Sequence, residues 1–154
     1  MRLPWRGSLG QSRASIVSVR GVSMAQRPIE LILVRQLAAG LAVPTFVVDA
    51  EGDLVFVNEA AESLLGLRFD EVGEVPFAEW TTAFAPRSKG GHRADPAKHP
   101  LAVAIRERQP VHGPLRILGR DGIARRLVVT ALPLEGPRGQ LLGGLAMFWQ
   151  PSAQ

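Results

Sequence analysis

One stretch, PTFVVDAEGDLVFVNEAAESLLG at residues 44–66, constrains the fold of this chain more than any other. It contains two short runs of β-branched and aromatic residues, FVV and LVFV, which favour strands. Segment 49–53 between them carries Asp and Gly, the residues that favour a tight turn. Asn58 then stands where a helix N-cap is expected, and Gly66 stands where that helix can end. The stretch therefore predicts a β-hairpin that runs directly into a helix.

This order of features resembles the opening of a PAS domain. The shared pattern is a strand ending in Asp49, a turn with glycine, a strand ending in Asn58, and a helix ending in Leu-Leu-Gly. The resemblance extends to about Trp149. It implies a sensor or interaction module built as a five-stranded antiparallel sheet with helices over one face.

The rest of the chain predicts the remaining elements of an α+β fold. Two helical turns follow Gly66, and their aromatic residues are expected to be core anchors: Phe69, Phe77, Trp80 and Phe84. Segment 100–108 predicts a helix that Pro110 stops, and Asp121-Gly122 is a strong hairpin signal. We expect strands at residues 45–49, 54–58, 114–119, 125–134 and 141–149.

We divide the chain into a disordered leader at 1–26, an N-terminal flanking helix at 27–43, a PAS domain at 44–150 and a tail at 151–154. Residues 1–23 contain four arginines and no acidic residue, so without them the chain has equal numbers of acidic and basic residues. No basic face for nucleic acid is then expected on the domain.

Composition excludes several classes of site and location. The chain has no cysteine, so it has neither a disulfide nor a thiolate metal site nor a cysteine nucleophile. No apolar run approaches the roughly 18 residues of a membrane span. We therefore expect a cytoplasmic protein that binds neither a membrane nor nucleic acid.

The predicted flanking helix is apolar on more than one face, and the last two strands are apolar on both faces of the sheet. The helix and the outer sheet face can bury their apolar surfaces against each other, either within one subunit or between two subunits. PAS relatives commonly dimerise through such a helix, so the resemblance implies a homodimer. Its interface residues would be Ile29, Leu33, Leu37, Leu41, Val128, Leu145, Met147 and Trp149. A monomer whose helix covers its own sheet remains the alternative.

By resemblance, a family pocket lies between the sheet and the helices. Its lining residues would be Phe46, Val48, Leu65, Trp80, Leu101, Ile105, Leu127, Val129, Ala131, Ala146 and Phe148. All of these are apolar, and a buried polar ligand would lack hydrogen-bond partners among them. The pocket is therefore filled by its own side chains or binds an apolar molecule.

No pattern of catalytic residues is present, and we predict that the chain is not an enzyme. The three histidines, His92, His99 and His112, have no motif spacing between them, and Asp49 and Asn58 have structural roles in a turn and a cap. PAS members that bond flavin or a coumaroyl chromophore covalently use a cysteine, which is lacking here. Haem-binding members use a histidine on the helix before the third strand. His99 is nearest to that position, but its place just before Pro100 predicts that it faces solvent.

We accordingly expect a stand-alone PAS signalling module without a cofactor, acting through protein–protein association. Sensing of a small apolar ligand is left open. The alternative is a haem- or flavin-binding small-molecule sensor. Besides a second copy of the chain, a signalling protein such as a kinase or a transcription regulator is a candidate partner.

Overall fold

A computed structural model describes residues 28–66, 68–84, 87, 90, 92, 95–119 and 121–152. The predicted leader at 1–26 lies outside the described residues. The helices are α1 (Ile29–Ala39), α2 (Glu59–Leu65), α3 (Phe69–Val72), α4 (Phe77–Ala83) and α5 (Pro100–Glu107), with a short 3-10 helix at Pro96–Lys98. The strands are β1 (Thr45–Asp49), β2 (Leu54–Val57), β3 (Val111–Leu118), β4 (Ala124–Glu135) and β5 (Leu141–Trp149).

The five strands form one antiparallel sheet in the order β2-β1-β5-β4-β3, which confirms the predicted fold class. The largest difference from the sequence prediction is in β3, which begins at Val111 and not at residue 114. Proline lacks the backbone N–H that a central strand needs, and Pro114 lies inside β3. However, β3 is an edge strand, where the missing N–H of an exposed Pro114 need not interrupt the pairing.

The β1–β2 hairpin has the predicted turn chemistry. The Oδ1 atom of Asp49 accepts hydrogen bonds from the backbone N–H groups of Glu51 (3.1 Å) and Asp53 (2.9 Å). Gly52 lies at φ 89°, a backbone conformation that favours glycine. The carboxylate of Asp53 accepts in turn from the backbone N–H of Phe77 at 2.9 Å, which fixes the start of α4 beside the turn.

Helix α2 has the ends that the sequence predicts. The side chain of Asn58 accepts a hydrogen bond from the backbone N–H of Ala61, and Gly66 ends the helix at φ 67°. Because the cap residue follows β2 immediately, the helix begins directly at the end of the hairpin without a linker.

Helices pack on both faces of the sheet and bury part of each face. The inner face packs with α2, α4 and α5 into the main hydrophobic cluster. Gly144 in β5 permits close packing there, since a Cβ atom at this position would lie 2.9 Å from the Leu101 side chain of α5. The outer face carries a smaller cluster that it shares with α1.

Candidate functional site

The residues predicted to line a family pocket lie together on the inner side of the sheet. All of them belong to the main cluster, Ile105 as a partly buried member and the others buried. The Phe46 and Phe148 rings meet edge to face with centroids 4.9 Å apart, and the Phe84 ring lies 6.0 Å from that of Phe46. These side chains contact one another. That they surround a ligand-binding pocket remains a prediction.

Trp80 closes this cluster from the helical side. Its side chain is 1% exposed, and its Nε1–H donates a 2.8 Å hydrogen bond to the carbonyl oxygen of Gly52 in the hairpin turn. Its ring meets that of Phe77 edge to face at 5.7 Å. Of the other predicted anchors, Phe84 is buried, and Phe69 and Phe77 pack against the cluster while partly exposed.

His99 is part of the core, so the prediction that it faces solvent was wrong. The residue is 1% exposed, and its ring meets Trp80 edge to face at 4.9 Å. Its Nδ1 atom accepts a hydrogen bond from the backbone N–H of Leu101 at 3.2 Å, so His99 caps α5. Burial lowers the pKa of His99 from 6.5 to about 4 and keeps the ring neutral at pH 7. The place of His99 before Pro100 indicates the N-cap role, but its burial depends on the contact with Trp80, which the local sequence does not show.

The inner sheet face does not fit a flavin. Its side chains are the apolar ones of Phe46, Val48, Leu127, Val129, Ala131, Ala146 and Phe148, and the chain has no cysteine for a covalent adduct. The polar edge of a flavin ring would therefore find no side-chain hydrogen-bond partner on this face. Within the described residues, no group of three or more His, Asp or Glu side chains could hold a metal ion.

Helix α1 packs one of its faces on the outer side of its own sheet. Leu31 and Ala38 are buried there, and Val34 is partly buried. They contact a cluster that includes Val47 of β1, Val55 of β2 and Leu145 of β5. The sequence could not select this face, since α1 has a second apolar stripe at similar spacing.

That second stripe is exposed. The side chains of Ile29, Leu33 and Leu37 are 67%, 56% and 66% exposed, and Ile32 is 42% exposed. The first three were predicted for a dimer interface, and Leu41 of the same stripe is half-buried.

The other residues predicted for the interface lie on the outer sheet face. Leu145 is buried under α1, whereas Val128 and Met147 are half-buried. Trp149 is 39% exposed and pairs with Val128 across β4 and β5. Its ring lies 6.1 Å from that of His112 on the edge strand. An apolar strip of the sheet therefore continues beyond the area that α1 covers.

An open groove of about 800 Å³ lies between the end of α1 and α2. Its lining residues are Ala39, Phe56, Val57, Glu59, Glu62, Ser63, Gly66 and Arg68. The guanidinium of Arg35 lies over the Phe56 ring, 5.7 Å from its centroid, and covers one side of this aromatic residue. No sequence pattern indicated this groove, because its residues come from three separate elements.

The described helices include none that is both long enough and apolar enough to cross a membrane.

Comparisons with known proteins agree with this architecture. The PAS domain of a protein from Colwellia psychrerythraea is 18% identical, with 75% of this chain and 92% of that chain covered and a TM-score of 0.56. The light-state dimer of the fungal blue-light photoreceptor Vivid is 14% identical, covering 71% of this chain and 78% of that one, with a TM-score of 0.56. The LOV domain of a blue-light activated histidine kinase from Erythrobacter litoralis is 22% identical, covering 71% and 96%, with a TM-score of 0.54.

At these identities the likeness shows the fold alone. Among curated proteins, no sequence matches the chain. A family model described as PAS fold matches residues 39–154, which include the whole sheet and all helices after α1. On the strength of this match, the chain belongs to the PAS family.

Proposed function

We propose that this PAS module signals by associating with a second copy of itself through α1 and the outer sheet face. The observation that carries the proposal is the exposed stripe of Ile29, Leu33 and Leu37, which are 67%, 56% and 66% exposed. Single exposed apolar residues are ordinary, but several that form one contiguous surface mark an interaction site.

The stripe remains after α1 has met its own packing needs. Leu31 and Ala38 already fix the helix on the sheet, so the exposed side chains are not required to hold α1 in place. Ile29, Leu33 and Leu37 follow one another at i, i+4 spacing and form a ridge along the helix. Such a ridge can pack into the groove of another helix.

A second copy of the chain suits this surface better than a charged partner. The three residues carry no charge, and an isologous interface requires a patch that is complementary to itself. An apolar ridge meets this requirement across a two-fold axis, with Glu30 and Gln36 at its borders in contact with water. Val128 and Trp149 on the outer sheet face would extend the contact.

Two of the similar structures support association and signalling as the kind of function. Vivid was solved as a light-state dimer, and the Erythrobacter litoralis domain comes from a histidine kinase. For the present chain, we propose a homodimer that works with a partner signalling protein such as a kinase or a transcription regulator.

A second candidate function is the sensing of a small apolar molecule within the core. It is favoured by the uniformly apolar side chains of the inner sheet face. A coloured purified protein would instead indicate a haem or flavin and would overturn the choice of a module without a cofactor.

Light scattering at micromolar concentration tests the association. We expect a dimer for the full chain and a folded monomer for the double variant Leu33→Glu, Leu37→Glu, because two carboxylates in an apolar interface cannot be desolvated. Ile123→Glu is the matched control, since Ile123 is 55% exposed in the β3–β4 turn and lies outside the proposed interface. A wild-type monomer, or a double variant that stays dimeric, would contradict the proposal.

A further inference from the structure

Asn58 joins more parts of the molecule than a helix cap requires. Its Oδ1 atom accepts two hydrogen bonds, from the backbone N–H of Thr45 in β1 (2.9 Å) and of Ala61 in α2 (3.0 Å). Its Nδ2 group donates to three backbone carbonyl oxygens at the end of α1 and in the connection to β1. These acceptors belong to Ala38 (3.1 Å), Leu41 (3.1 Å) and Val43 (2.8 Å).

The orientation of this amide is determined by its surroundings. The two groups on the oxygen side are N–H donors, and the three on the nitrogen side are carbonyl acceptors. A reversed amide would place like groups against each other on both sides. Asn58 is 1% exposed, so neither side can be satisfied by bulk water instead.

Asn58 also lies between residues of the main core cluster. Val57 precedes Asn58 in the chain, and the backbone N–H of Ala61 donates to its side chain. Val57 is 3% exposed and Ala61 is 0% exposed within that cluster. A shift in the packing of the core at α2 would therefore move Asn58. On its opposite side, the same amide group holds the end of the helix that carries the exposed stripe.

We propose that Asn58 is the positioning residue through which the PAS core controls the placement of α1. The Nδ2 hydrogens of Asn58 bind the backbone of residues 38–43. The Oδ1 atom fixes the position of the Asn58 side chain relative to β1 and α2. A change in the core that displaces Asn58 would loosen α1 and alter the association surface. The consequence for signalling rests on the proposed dimer, whereas the attachment of α1 does not.

Asn58→Asp tests the attachment in the full chain, with hydrogen exchange as the measurement. The aspartate keeps an oxygen for Thr45 and Ala61 and is an equally good N-cap. It replaces the Nδ2 donor by an oxygen that faces three carbonyl groups. We expect amide exchange in α1 to become faster by about tenfold or more, with little change in α2 and β5. Asp95→Asn is the control, since it makes the reverse exchange at the N-cap of the 3-10 helix, which packs with α4 and α5.

Two outcomes of this experiment overturn the proposal. Unchanged exchange in α1 would show that Asn58 does not hold the helix, and an equal increase in all elements would make it a residue of general stability. If Asn58→Asp does not fold, Asn58→Ser is measured in the same way, because it keeps a cap oxygen and lacks the donor. Failure of both variants to fold also counts against the proposal. Light scattering of the wild-type protein is independent of these results. A monomeric wild type would contradict the proposed dimer but not the attachment of α1 by Asn58.

Discussion

The two faces of the sheet are both apolar, but they are buried in different ways. On the inner face, Phe46, Val129 and Ala146 are each at most 1% exposed beneath three helices. On the outer face, α1 covers part of the strands, and Trp149 remains 39% exposed. The same kind of strand sequence is therefore more completely buried on one side of the sheet than on the other.

This difference is expected to separate effects on stability from effects on the proposed association. Substitutions on the inner face are expected to change the free energy of unfolding, since they remove well-packed area. Substitutions on the exposed stripe of α1 and at Trp149 are expected to change the oligomeric state and to leave the fold intact. Tryptophan and histidine each occur both as a buried and as an exposed residue, which permits matched variants.

The largest effect is expected for the two tryptophans. Trp80→Ala should lower the free energy of unfolding by about 3–5 kcal/mol, because it removes a fully buried ring and leaves the Gly52 carbonyl without its donor. Trp149→Ala should cost about 1 kcal/mol or less, since its ring is partly exposed at the end of β5. Urea unfolding, monitored by circular dichroism, measures both.

Similar losses for the two variants would remove the distinction between the faces. A nearly neutral Trp80→Ala would show that Trp80 is not a core residue, contrary to its 1% exposure.

A smaller effect is expected from the buried histidine. Because burial lowers the pKa of His99 from 6.5 to about 4, the unfolded chain binds a proton between these values and the folded chain does not. Stability should therefore fall on acidification from pH 7 to pH 5, by about 2 kcal/mol from this residue, and this loss should level off below about pH 4. His99→Gln should remove that part of the pH dependence.

His112→Gln is the matched control for this pH dependence. His112 is exposed and its Nδ1 atom lies 2.8 Å from the hydroxyl of Thr130. Comparison of this variant with His99→Gln separates the loss of a buried histidine from the loss of an exposed one. A His99→Gln protein that still loses the same stability between pH 7 and pH 5 would contradict the assignment.

The smallest effect is expected from the removal of residues 1–23. A variant that starts at Met24 should keep the melting temperature of the full chain, because residues 1–23 carry no core-forming pattern. A loss of one kcal/mol would lower the melting temperature of a domain of this size by about 4 °C. A clear decrease in a thermal scan would mean that the leader contributes to the packing of one of the faces.

The sequence predicted most of the fold because its local signals agree with each other. The turn at Asp49, the cap at Asn58 and the end of α2 at Gly66 all depend on a few adjacent residues. The placement of His99 was missed, since its burial depends on the distant ring of Trp80. The contacts of Asn58 with Ala38, Leu41 and Val43 were missed for the same reason.

For the flanking helix, the local sequence pattern does not determine which face packs on the sheet. This helix has two apolar stripes at similar spacing, and the one that contains Leu31 and Ala38 is buried on the outer face. The stripe of Leu33 and Leu37 is left exposed by this choice. Its use in association remains a prediction.

Native mass spectrometry of the full chain tests the central claim most directly, because one spectrum reports both subunit number and bound ligand. We expect a species of twice the 16.6 kDa chain mass with no added ligand mass, as the proposed association through the open face requires. A monomer that carries a bound small molecule would contradict it, because the inner face would then hold the signal and the exposed stripe would have no partner in a second copy.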